Sequence, residues 1–227
     1  MAEESSTKAA GRRAGLVYLI LDVFSFTGYL TLTRLLTGST QMVLARLVAS
    51  QTELALALVA SAIGFAAWIV LGILLYRLMS FAGRASGLLM VIFAVAGTVM
   101  NLFALSELLP LVGSASSGMP AETLTPIVHS YNHELQLAQV FSGLWLFPFG
   151  WLILRSRIAP PFFGFCLIVG GVFWLLQFAR AFDPGLVQVT AYRIAGGATG
   201  YLGVIGGEFG ICLWLLTKGA RAGLAHR

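Results

Sequence analysis

Charge is what this sequence has least of. One residue in ten is Asp, Glu, Lys or Arg, against about a quarter in soluble domains. Acids are scarcest, nine in 227 residues. With 58% of residues hydrophobic and a mean hydropathy of +0.89, no soluble fold could hide the apolar surface. Cysteine is nearly absent: Cys166 and Cys212 lie in separate apolar runs without a CxxC spacing. That excludes a disulfide framework and reads as two small residues in helix packing. Histidine is limited to His129, His133 and His226, which cannot supply the pair of axial ligands that holds haem across a membrane. No cofactor is expected. The glycines of 200–206 lie inside an apolar run and follow no strand, so they are not a nucleotide-binding loop. The net charge of +5 and pI near 9.6 invite comparison with nucleic-acid binders. The basic residues stand at the ends of apolar runs instead of on one patch, so no nucleic-acid partner is expected.

What is present is six apolar runs, at about 15–36, 53–76, 86–110, 134–154, 162–182 and 195–217. Each is long enough to cross the hydrocarbon core, about 30 Å thick. In hydrocarbon every backbone N–H and C=O must be satisfied within its own segment, which leaves helices as the spanning element for such runs. The fold class is therefore all-α: a polytopic membrane protein with a bundle of six transmembrane helices in one domain, 13–219. Residues 1–12 read as a disordered tail and 220–227 as a second tail. The first run is too long for a signal-peptide core and ends in TRLLTG, without a small-residue cleavage site, so it reads as a retained span.

Basic residues give the direction. Lys8, Arg12, Arg13, Arg77, Arg84, Arg155, Arg157, Lys218, Arg221 and Arg227 fall on one side, and Arg34, Arg46, Arg180 and Arg193 on the other. The positive-inside rule puts the richer side, with both termini, in the cytoplasm. The connections 80–86 and 155–161 are then tight cytoplasmic turns. The longer external loops, 37–52 and 112–133, have room for a short surface helix. The lipid bilayer is one partner, and a membrane-protein partner is open.

Polar residues inside apolar spans are costly and mark candidate sites. Near the external ends lie Glu53, Asn101, Glu107, His129, His133, Glu134, Gln139, Gln177, Arg180 and Asp183. They suggest an outward-facing polar cavity for a small molecule or lipid, with Glu53, Asn101, His133, Glu134, Gln139, Gln177 and Arg180 as binding candidates. Arg180 and Asp183, three apart, are also placed to pair with each other or with Glu53 and Glu134. Deeper in the spans, Asp22 and Glu208 lie at similar depth. Facing one another they would form a proton relay; apart, each would serve packing through bonds to hydroxyls such as Ser25. His129 and His133, spaced i and i+4, would share one helix face and could bind zinc or iron with Glu134 or Asp183, giving a metal-dependent hydrolase or oxidase. The functional readings are thus a sensor or accessory protein with a ligand cavity, a metal enzyme on the histidine pair, or a small proton-coupled carrier on Asp22 and Glu208.

Two patterns remain. Glu53-Leu-Ala-Leu-Ala-Leu-Val with Leu-Leu-Tyr-Arg77 parallels Glu134-Leu-Gln-Leu-Ala-Gln-Val with Leu-Ile-Leu-Arg155, each followed by a glycine-containing span that reaches an amide, Asn101 or Gln177. This raises the idea of duplicated hairpins. Gly196/Gly200, Gly203/Gly207 and Gly206/Gly210 are small pairs at four-residue spacing, suited to close helix contact.

The stretch Val140-Phe-Ser-Gly-Leu-Trp-Leu-Phe-Pro-Phe-Gly150-Trp-Leu-Ile-Leu-Arg155-Ser with Pro160, and the ending Gly207-Glu208-Phe-Gly-Ile-Cys-Leu-Trp214-Leu-Leu-Thr-Lys218-Gly219, resemble the signatures of a bacterial six-span family, "domain of unknown function 4386". Gly15-Leu-Val-Tyr-Leu and Ala49-Ser-Gln-Thr-Glu53 are similar to its first two spans. The resemblance implies the architecture and a bacterial inner-membrane location, and it points to Glu53, Gly143, Gly150, Arg155 and Glu208. It implies no particular reaction.

Overall fold

A computed structural model describes residues 2–113, 118–180 and 182–221. These residues form helices and connections, with no strand among them. The helices are α1 (Ala2–Leu36), α2 (Thr40–Ala49), α3 (Gln51–Met79), α4 (Arg84–Ser106), α5 (Ala121–Leu144), α6 (Leu146–Ser156), α7 (Pro161–Ala179), α8 (Thr190–Gly200) and α9 (Gly210–Lys218). A π-helical segment, Tyr201–Phe209, joins α8 to α9. Six continuous stretches are long and apolar enough to cross a membrane: Ser5–Leu36, Gln51–Met79, Arg84–Leu111, Glu122–Ser156, Pro161–Ala179 and Thr190–Lys218.

Three departures from the sequence reading have physical causes. Residues 2–12, expected as a disordered tail, continue α1. The three Ala and two Glu of this stretch favour helix, and Gly11 brings it against the backbone of Ala220. The fourth span begins near residue 121 instead of 134, because Pro120 supplies an extended N-cap and Glu122 sits in the first turn. Its helix is interrupted at Trp145, between α5 and α6, where Pro148 has no N–H for the carbonyl of Leu144, four residues back. Of the tail 220–227, residues 222–227 lie outside the described residues; Arg221 N–H donates to the Ile158 carbonyl at 2.8 Å, tying the end of the chain to the α6–α7 turn.

The spans close into a ring in chain order. α1 packs on α3, α3 on α4, α4 on α5 and α6, these on α7, α7 on α8 and the π-helical segment, and α9 returns to α1. The α1–α3 contact is close because serine and glycine interlock reciprocally: Ser25 sits against Gly64, and Ser61 against Gly28. On the side that carries the termini, one apolar core draws on every span, with Tyr18, Trp68, Trp145 and Phe149 at its heart. Trp145 stacks on Phe149 at 5.3 Å between centroids and meets Trp68 edge-on at 5.5 Å and Tyr18 at 6.2 Å. On the opposite side a second core joins the end of α1, α2, the start of α3, the end of α4 and the start of α5. Spans five and six contribute nothing to it. There α8 has no buried residue, and the close packing of the sixth span on α1 is made by α9.

Candidate functional site

The external candidates have different partners. Glu53, at the start of α3, pairs with Arg34 on the surface, the side chains being 48% and 63% exposed. Arg46 of α2 joins them by donating to the carbonyls of Arg34 and Thr37, at 2.8 and 2.6 Å. This is a clamp on the α1–α2 turn. Asn101, only 5% exposed, donates to the Gly97 carbonyl of its own helix at 2.8 Å. His133 is exposed on α5. Arg180 donates to Gln177 Oε1 at 2.8 Å, whereas Asp183 accepts from the Gly185 N–H at 2.9 Å, so the two are engaged separately. Glu134 and Gln139 are half-buried on α5, each with one buried oxygen lacking a partner. The supposed repeat partners therefore occupy unlike surroundings: Glu53 is a surface ion pair and Glu134 a recessed acid.

His129 and His133 do lie on one continuous helix, α5, as their spacing requires. Among the described residues, however, no three His, Cys, Asp or Glu side chains come close enough to hold a metal ion. A cavity of about 420 Å³ lies at the other end of the fourth span, lined by Trp151, Leu154 and Arg155.

The two deep acids behave differently. α1 presents Tyr18, Asp22 and Ser25 at i, i+4 and i+7, one stripe of the helix. Ser25 of this stripe packs on Gly64 of α3 and Tyr18 on Trp145 and Phe149, while Asp22 lies toward the sixth span, where Glu208 and Cys212 are likewise four apart. Asp22 and Glu208 lie within electrostatic reach of each other and of the Tyr18 hydroxyl. Cys212 Sγ is beside Asp22 and 3.7 Å from the Gly15 carbonyl. Trp174 of α7 donates its indole N–H to Glu208 Oε1 at 3.0 Å. Both acids are half-buried. Asp22 Oδ2, Ser25 Oγ, the Tyr18 hydroxyl and Trp68 Nε1 are buried and have no hydrogen-bond partner.

Glu208 sits in the π-helical segment. There Gly203 lies so close to α7 that a Cβ on it would be 2.1 Å from Gly170 Cα, and Gly207 abuts the Cys166 backbone. The wider π turn re-aims side chains relative to a regular α-helix, and such turns recur at functional positions. The sequence carries a signal for it in its glycine density, Gly200, Gly203, Gly206, Gly207 and Gly210, which weakens the regular helix. Trp174 is the member of the site that sequence reasoning missed; nothing in the sequence separates it from tryptophans that simply fill space.

The family model described as "Domain of unknown function (DUF4386)" matches residues 13–219. No curated protein and no solved structure matches the chain.

Proposed function

The chain belongs to the DUF4386 family of domains of unknown function, and from that premise we propose that it is a small proton-coupled carrier whose working centre is the Asp22–Glu208 pair. The observation that carries this reading is that α1 and the sixth span pack antiparallel, with Cys212 Sγ 3.7 Å from the Gly15 carbonyl, which sets Asp22 and Glu208, each about one to two turns further in, within electrostatic reach of each other. Two carboxylates in a low-dielectric site repel one another, and a proton shared between them relieves the repulsion. Loading or releasing that proton changes the attraction between α1 and the sixth span. The π-helical segment gives that span a place to yield.

The remaining features fit a carrier in a bacterial inner membrane. The terminal side carries the excess of Lys and Arg, which supports cytoplasmic termini. The half-buried Glu134 and Gln139 of α5, Gln177 of α7 and Arg180 just beyond it lie on the external half of the spans, where a solute approaching from that side would meet them. Glu53, Asn101 and His133 take no part in this reading.

Dicyclohexylcarbodiimide, which modifies protonated carboxyls in apolar surroundings, tests the reading on protein in liposomes. Mass spectrometry is expected to find one adduct, on Asp22 or Glu208, fading as pH rises and absent from the D22N/E208Q double variant. Labelling that ignores pH, or none at either acid, would sink the proposal.

A further inference from the structure

We infer that the Asp22–Glu208 site takes a lipophilic organic cation, of the quaternary ammonium or phosphonium class, that enters from the bilayer between α1 and the sixth span. This deepens the carrier reading and rests on it for the role of the acid pair.

The first support is uncompensated negative charge. Lys and Arg stand toward the span ends: Asp22 is nine residues past Arg13 and Glu208 ten before Lys218, about 13–15 Å at 1.5 Å per residue. The titratable groups that face the acids are Tyr18 on α1, Cys212 on α9 and the acids themselves. α3 brings Ser61, Gly64 and Trp68 to this level, and α7 brings Cys166 and Trp174. None of these supplies a positive charge. A buried negative site without a protein partner favours a cation from outside.

The second support is a polar group aimed into the site with nothing to bond. Tyr18 is 0% exposed, its hydroxyl has no partner, and it faces both acids. A buried unpaired hydroxyl is costly, so its retention points to an occupant or to water that an occupant displaces. The third is aromatic surroundings. The Tyr18 ring, one turn before Asp22, lies in the aromatic core against Trp145 and Phe149, and Trp174 is fixed on Glu208. Ring faces attract organic cations, most strongly where water is excluded. A strongly hydrated metal ion gains little from such rings, whereas a quaternary cation presents the apolar surface they fit. The fourth is access. Asp22 and Glu208 are both half-buried, and α8, which leads into the segment carrying Glu208, has no buried residue, so this face of the sixth span lies against lipid.

Charge balance sets the exchange. A singly protonated pair carries one negative charge; when a monovalent cation binds, the proton leaves for bulk water and the net charge of the occupied site stays the same. Over the range where this exchange operates, affinity rises tenfold for each pH unit.

The test uses purified full-length protein with tetraphenylphosphonium and, as a smaller probe, benzyltrimethylammonium, measured by equilibrium dialysis against empty micelles and by Trp174 fluorescence. Expected are saturable binding of one cation per chain, quenching lost in W174F, at least a tenfold loss of affinity in D22N and in E208Q, and release of about one proton per cation in weakly buffered solution. Y18F, which keeps both acids, is expected to fold normally and bind several-fold more weakly, so the outcome does not depend on the acid variants alone. Absence of saturable binding of both cations, or binding that neither D22N nor E208Q weakens, overturns the inference. If carbodiimide still labels the acids with the expected pH dependence while no cation binds, the cation inference falls and the carrier reading stands; if labelling fails too, both fall.

Discussion

At the scale of single residues, polar groups that look alike in the sequence divide by what they touch. Glu53 and Glu208 are both acids in apolar runs, yet Glu53 is held by Arg34 at the surface while Glu208 is held by an indole N–H inside the bundle. Exposed ion pairs contribute about 0–1 kcal/mol, so E53A should shift thermal stability only slightly and leave carbodiimide labelling intact. W174F removes the donor to Glu208 and should cost about 1 kcal/mol, read as a lower melting temperature in scanning fluorimetry. Y18F removes a buried hydroxyl that has no partner, and its melting temperature should hold or rise. The acid pair was legible as two carboxylates at one depth. That α1 and the sixth span set them within electrostatic reach of each other was not, because that depends on helix rotation, and runs apolar on every side do not specify rotation.

At the scale of elements, the sixth span is the informative one. The sequence offers three glycine pairs at four-residue spacing, and the fold treats them differently. Gly203 and Gly207 meet the α7 backbone, whereas nothing stands within 4 Å of a Cβ at Gly196 or Gly197. G203A must push α7 away and should lower the melting temperature strongly. G196A meets open space and should hold or raise it, by up to about 1 kcal/mol of helix propensity. Both are read side by side in the same detergent. The fourth span teaches a related lesson: α5 accommodates Pro126 within it, and the helix is interrupted instead at Trp145, beside Pro148, whose missing N–H leaves the Leu144 carbonyl without its usual partner.

At the scale of the whole molecule, a ring of six helices in chain order brings the first and last spans together, and the acids meet because the ring closes. Closure is complete only on the terminal side, where one core draws on all six spans. The other side is sealed around spans one to four and left loose around five and six. Truncation after the fifth span should therefore remove one wall of the terminal-side core and give a protein that fails to elute as a single species in size-exclusion chromatography. Reporter fusions should place both termini in the cytoplasm, in keeping with ten basic residues against four.

By itself the sequence determined the number of spans, their approximate limits, the helical class and the family, since these follow from run length, backbone satisfaction in hydrocarbon and local signatures. Only the tertiary structure decided which polar residues meet. The direction a helix face takes is set by packing against its neighbours, by serine–glycine interlocking between α1 and α3 and by the Gly170–Gly203 contact between α7 and the π-helical segment. A run that is apolar on all sides leaves that rotation open until the ring closes.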